Sequence, residues 1–193
     1  MFDDFKYLFA YTVPLATFFS IFSDGILTFI TPIYTFIFIP TLEAILKERE
    51  TKTIYSEKQI QNKLTNKIFD YLLYGNIPMV FILLISGIYI LSNNFLMTYE
   101  AIGISLSLGI LLATNAINVA HELGHRKSIL DRTLSKILLI PCLYMHFYLE
   151  HNFGHHKNVA TPEDPATSRY NQTVYSFWIT SVFNQYLNAW KIQ

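Results

Sequence analysis

Two short stretches could carry metal chemistry in this chain, "HELGH" at 121–125 and "HNFGHH" at 151–156. On a helix His121 and His125 are one turn apart, so both rings face the same way and can grip one ion. His151 and His155 repeat that spacing, and His156 is offset to reach a second ion or the other side of the first. All six histidines of the chain fall between 121 and 156, a concentration that chance scatter does not produce. The sixth, His146 in "YMHFY", sits apart among aromatics and reads as structural or as a neighbour supporting the ligands. Imidazole suits Zn, Cu, Fe and Ni, so ligand type alone leaves the metal open.

"HELGH" also matches H-E-x-x-H, in which two histidines hold zinc and the glutamate, here Glu122, acts as general base. The intramembrane zinc proteases use this motif, which makes an intramembrane zinc hydrolase the rival from another class. Such a site needs about three protein ligands and an open position. Five clustered histidines exceed that, and no aspartate–glycine ligand motif follows them. "SDG" at 23–25 precedes the motif and is predicted on the opposite face of the membrane. Five imidazoles on one face suit a two-metal site better, with further ligands supplied elsewhere. Two nitrogen-ligated irons could reduce dioxygen for attack on an unactivated C–H bond, which zinc, lacking redox chemistry, does not do.

The elements that position these residues are apolar. The 193 residues are 52% hydrophobic, 16% aromatic and 15% charged, where a soluble domain carries about a quarter charged residues. A net charge of +0 excludes the basic excess of a nucleic-acid binder. One cysteine, Cys142, excludes an internal disulfide framework and a thiolate-rich metal site, and reads as a small buried hydrophobe. The start, "MFDDFKYLFAYTVPLATFF", has acidic Asp3 and Asp4 and no small-residue cleavage site, so it is expected to stay attached as a span rather than be removed as a signal peptide.

Four stretches approach the ~20 apolar residues needed to cross the hydrocarbon core, at 5–23, 25–46, 71–91 and 98–120. The loop between the second and third carries Lys47, Arg49, Lys52, Lys58, Lys63 and Lys67. Basic loops stay cytoplasmic, so the N-terminus is expected inside and the fourth span exits inward near Ala120, followed by Arg126, Lys127, Arg132 and Lys136. Within that loop Ile60, Leu64 and Ile68 fall at steps of four, the pattern of an interfacial amphipathic helix or of a solvated linker. The expectation is an all-α, polytopic membrane protein. One domain spans 1–193, with four spans in 1–120 and a cytoplasmic histidine-bearing cap in 121–193.

The apolar part of 128–150, Ile137 to Leu149, is short for a crossing and holds Pro141 in its middle. A re-entrant or interfacial excursion is therefore expected, which leaves both histidine stretches on one face. Val174, Phe177, Trp178, Val182, Tyr186 and Trp190 recur near helical spacing between polar residues, predicting an amphipathic helix along the interface over a fifth span.

At "HELGHR" and "EHNFGHHKNVATPEDPATSRY" the chain resembles the bacterial integral-membrane alkane monooxygenases, relatives of membrane fatty-acid desaturases and hydroxylases. The first box is shared widely; the second with its "VATPEDPATSR" tail is specific. The resemblance implies six membrane helices, two non-haem iron ions on the cytoplasmic side of the bacterial inner membrane, and hydroxylation of the terminal carbon of medium- or long-chain alkanes taken from the bilayer. Electrons would come from NADH through a reductase and rubredoxin. It makes His121, His125, His151, His155 and His156 iron ligands, and Glu122 a partner orienting an imidazole rather than a base. No other side chain receives a catalytic role. Glu163, Asp164 and Arg169 would pack the cytoplasmic cap or belong to an ordinary loop. The family's further histidine boxes are absent, and Ile179 and Thr180 stand where it usually has an Arg after the aromatic run. The chain is expected to be the N-terminal half of such a protein, inactive alone. A related fatty-acyl hydroxylase or desaturase is the alternative within the fold.

Overall fold

The computed structural model describes residues 2–46, 56, 57, 61 and 66–193. The predicted Ile60–Leu64 face and the lysines and arginine at 47–63 lie outside the described residues. Those described form helices and turns, with no strand among them. The protein is an all-α, helical membrane protein. Helix α1 joins a 3₁₀ stretch, Phe2–Tyr11, to an α-helical one, Thr12–Ile21. It is followed by α2 (Gly25–Leu46), α3 (Ile68–Asn93), α4 (Thr98–Gly124), α5 (Ile129–Leu139), α6 (His146–Asn158) and α7 (Val174–Ile192).

Three of these, α2, α3 and α4, are long and apolar enough to cross a membrane, at 22, 26 and 27 residues. At about 1.5 Å per residue each exceeds a ~30 Å hydrocarbon core. The first of the four expected spans, 5–23, is not among them. It is helical, but the chain up to Tyr11 is wound as 3₁₀, with Lys6 inside the expected span and Asp3 and Asp4 just ahead of it.

Residues 1–116 and 117–193 form two compact units. In the first, polar side chains face inward. Asn115 Nδ2 donates to Asn76 Oδ1 at 2.8 Å and to the Ala10 carbonyl at 2.9 Å. Ser20 Oγ lies 3.0 Å from Thr31 Oγ1, which donates to Thr17. Glu100 accepts from the Gly25 N–H at 2.6 Å and the Met97 N–H at 2.8 Å, tying the "SDG" turn to the start of α4. Ile21, Val80, Ile104 and Leu111 fill the remaining core, while Phe9, Phe36, Ile82 and Tyr89 stay exposed. Polar groups inside and large apolar ones outside is the distribution that lipid imposes, because hydrocarbon cannot satisfy a hydrogen bond.

In the second unit the stretch 128–150 does not form one crossing helix. Ser128 caps α5 by accepting from the Asp131 N–H, and the helix runs 11 residues before the chain turns through Pro141. Leu143 takes a left-handed φ of 52° in that turn. α5 is pinned to the end of α4 by Ser135, whose hydroxyl donates to the Ala120 carbonyl at 2.6 Å. α7 is capped by Thr173, whose hydroxyl accepts from the Ser176 N–H. Its buried line is Ser181, Gln185 and Ala189, four residues apart. Of the apolar positions expected along the interface, Val174, Trp178, Val182 and Trp190 are exposed, Phe177 is half-buried and Tyr186 packs edge-on against His146.

Candidate metal centre

Two helices bring the histidines together. The last turns of α4 carry His121 and His125, whose ring centroids are 4.7 Å apart, as one-turn spacing requires. α6 carries the other three, and its backbone is not a plain α-helix. Residues Glu150–His155 form a π-helical turn, which holds one residue more than an α turn. The extra residue changes which histidines share a face. His151 pairs with His156, five residues on, their Nε2 atoms 3.1 Å apart. His151 Nε2 also lies 3.0 Å from His121 Nε2 and 3.1 Å from His125 Nε2. The Nε2 atoms of His121, His125 and His156 thus converge on that of His151.

His155, expected to repeat the His121–His125 spacing with His151, turns its Nδ1 away to Asp164 Oδ2 at 2.9 Å. His146 packs edge-on against Tyr144 and Tyr186, and its buried Nε2 has no hydrogen-bond partner among the described residues. Glu122 is exposed and pairs with Arg126, 3.6 Å away on the same helix face. Among the described residues no imidazole hydrogen-bonds to this carboxylate.

The four-nitrogen cluster has the donor set of a cation site. A neutral imidazole has one N–H and one lone pair, so four Nε2 atoms meeting one another cannot all be satisfied by mutual hydrogen bonds. His121, His125 and His151 offer nitrogens that all lie within 4.8 Å of one another, so one cation could accept a lone pair from each, and His156 reaches them through His151. Protonation is disfavoured at His151 and His156. Burial, then the charges of the neighbouring imidazoles, hold His151 down to about 3. Burial and the neighbours His125 and His155 lower His156 as well. Phe147 stacks on His151 at 4.8 Å and 17°, covering one side of the cluster with an apolar face.

Two carboxylates near the second box went unremarked or underread in the sequence. Glu150, directly before "HNFGHH", is 1% exposed and accepts from Asn188 Nδ2 of α7 at 3.2 Å. Burial raises its pKa, more than the Asn188 hydrogen bond lowers it. Its place on the helix directly ahead of the three histidines of the second box was the available signal. Asp164, in the polar tail, is 3% exposed. Burial pushes its carboxyl up, but hydrogen bonds from Thr167, Ala166 and His155 outweigh that and leave it below its usual value. Arg169 and Glu163 line a separate polar recess with Lys191 and are not at the cluster. Cys142, half-buried, has its thiol pushed up to about 11 by burial, outside metal-binding range.

Residues 98–193 match the fatty acid desaturase family. The chain is 36% identical over 163 residues to an alkane 1-monooxygenase of Acinetobacter baylyi, covering 84% of this chain and 39% of that protein. It is 34% identical over 155 residues to an alkane 1-monooxygenase of Pseudomonas putida, covering 80% and 38%. A xylene/toluene monooxygenase hydroxylase component of Pseudomonas putida is 32% identical over 94 residues, 49% of this chain and 26% of its own length. The chain thus spans about two-fifths of the length of the alkane monooxygenases it matches.

Proposed function

The chain belongs to the fatty acid desaturase family through residues 98–193, and from that premise we propose that it is part of a membrane non-haem di-iron monooxygenase that hydroxylates the terminal carbon of medium- and long-chain alkanes. The convergence of three imidazole nitrogens on that of His151 carries this reading. His121, His125 and His151 hold one iron with His156 beside them, and His155 contributes toward a second whose remaining ligands lie elsewhere. Iron bound there would supply the reduction of dioxygen needed to oxidise an unactivated C–H bond. The protein's own part is to disfavour protonation of His151, fix the directions of the imidazoles and cover one face of His151 with Phe147. Alkane is taken from the bilayer, and rubredoxin with its NADH-dependent reductase delivers electrons. The histidine boxes face the cytoplasm of the bacterial inner membrane, which Arg126, Lys127, Arg132 and Lys136 beside them support.

Metal analysis of the chain purified from membranes tests the centre. Iron that is retained in the wild type and lost in His151→Ala is expected; zinc retained without iron, with peptide hydrolysis, would overturn the reading in favour of a hydrolase. Formation of 1-alkanol in membranes supplied with rubredoxin, reductase and NADH tests the reaction. Iron without alkanol, and with an oxidised aromatic or acyl product, would move the substrate to a related apolar chain, a reading the aromatic monooxygenase relative favours.

A further inference from the structure

The specific part of the second box is its tail, "VATPEDPATSR", and no metal ligand lies in it. The structure folds this stretch into a compact loop around one carboxylate. The Asp164 N–H donates to the Thr161 carbonyl and the Thr167 N–H to the Asp164 carbonyl, both at 3.2 Å, closing successive turns next to Pro162 and Pro165. At the centre, Asp164 Oδ1 accepts from the Ala166 N–H at 2.9 Å. Asp164 Oδ2 accepts from the Thr167 hydroxyl. That hydroxyl in turn accepts from the Ala160 N–H at 3.0 Å, so its proton can point only to the carboxylate. Two donors and a closed loop hold the carboxylate, whose side chain is 0% exposed. Such a group is expensive to bury and is fixed in direction once its partners are in place.

The remaining valence of Oδ2 faces His155 Nδ1 at 2.9 Å. We infer that Asp164 is a positioning residue that locks His155 in its Nδ1–H form, leaving the Nε2 lone pair as the one the ring can offer to a metal. A carboxylate accepts and never donates when ionised, so the proton must sit on Nδ1. Neutral free imidazole favours the opposite arrangement only slightly, so a fixed acceptor decides it. This deepens the iron reading above and rests on it for the identity of the metal. It also assigns the polar tail a purpose that neither cap packing nor an ordinary loop supplies. Glu122, in the first box, makes no such hydrogen bond to an imidazole among the described residues.

The test uses ¹⁵N-histidine-labelled chain in detergent, read by the ring-nitrogen shifts of His155 before any metal is added. Wild type is expected to show a protonated Nδ1 and a bare Nε2; Asp164→Ala is expected to lose that preference. Cobalt(II) titration of the same samples is expected to show affinity lower by about 10–100-fold in Asp164→Asn, the usual cost of losing an outer partner of a ligating histidine. Thr167→Val, which keeps the carboxylate but frees it to turn, is expected to fall between the two, and it stands in if the Asp164 variants do not fold. Glu163→Gln is the control and is expected to change nothing. His155 protonated on Nε2 in the wild type, or unchanged shifts and cobalt affinity in Thr167→Val and Asp164→Asn, overturns the inference. Absence of any metal binding by the wild type overturns the iron reading instead, and the shifts then still decide the role of Asp164.

Discussion

His151 meets the Nε2 of His156, 3.1 Å away although five residues separate them, while the His155 ring only stacks alongside at 5.3 Å. In an α-helix the partner of residue 151 would be 155, one turn on. The π turn at Glu150–His155 moves the partnership on by one residue and releases His155 to Asp164. The two adjacent histidines of "GHH" therefore do different things. One joins the four-nitrogen cluster and the other has a carboxylate behind it.

The different surroundings separate their variants. His156→Ala is expected to remove the tighter of the cobalt equivalents bound by the chain, with loss of its visible absorption band. His155→Ala is expected to leave that band in place. Identical losses in both variants would contradict the pairing described.

Gly154 is the point where α6 touches α7. A methyl group there would come within 2.8 Å of both Asn188 Nδ2 and Glu150 Oε1 and 3.0 Å of Ile192 Cδ1. Gly154→Ala is expected to destabilise the second unit by about 1–3 kcal/mol through overpacking, read as a lower thermal midpoint. An unchanged midpoint means that α7 is not held as described.

Acidification acts on the metal-free chain through the histidines. His151 titrates near 6.5 when unfolded and near 3 when folded, and His156 is lowered too. The unfolded state therefore binds more protons below pH 6.5, and stability falls as pH drops from there toward 3. Glu150, raised by burial, works the other way above its ordinary value of 4.5 and offsets part of the loss. Thermal unfolding with chelator at pH 8, 6 and 5 should give a declining midpoint, and metal should restore much of it at pH 6. A midpoint that rises on acidification rules this out.

Asn115→Ala would strip Asn76 Oδ1 and the Ala10 carbonyl of their shared donor. Polar contacts between membrane helices average about 0.6 kcal/mol and reach ~1.7. A loss of about 1 kcal/mol is expected, measured by unfolding in mixed detergent micelles. No change would mean that both acceptors find new donors.

Much of this arrangement was legible in the residues. The apolar runs at 25–46, 71–91 and 98–120 correspond to α2, α3 and α4 because length and composition are enough to specify a span. The His121–His125 pair was readable because plain helical spacing governs it. The His151–His156 pair was not, since a π turn is a choice made by packing and "HNFGHH" reads equally well as α-helix. Glu150 and Gly154 press α6 against α7, a contact set by partners 34 or more residues away. Periodicity gave the amphipathic pattern of α7 but not the side that packs, which is the line Ser181, Gln185 and Ala189.

A second π turn, Leu112–Ile117, precedes the first box just as Glu150–His155 contains the second. Each absorbs one surplus residue in a widened turn, so the helix beyond it keeps its face. In a plain α-helix the loss of one residue would turn everything beyond it by about 100°. Inside either π turn, deleting a single codon is instead expected to restore an α-helix with the later residues on the same side, so these two places tolerate a one-codon deletion that the rest of the helix would not.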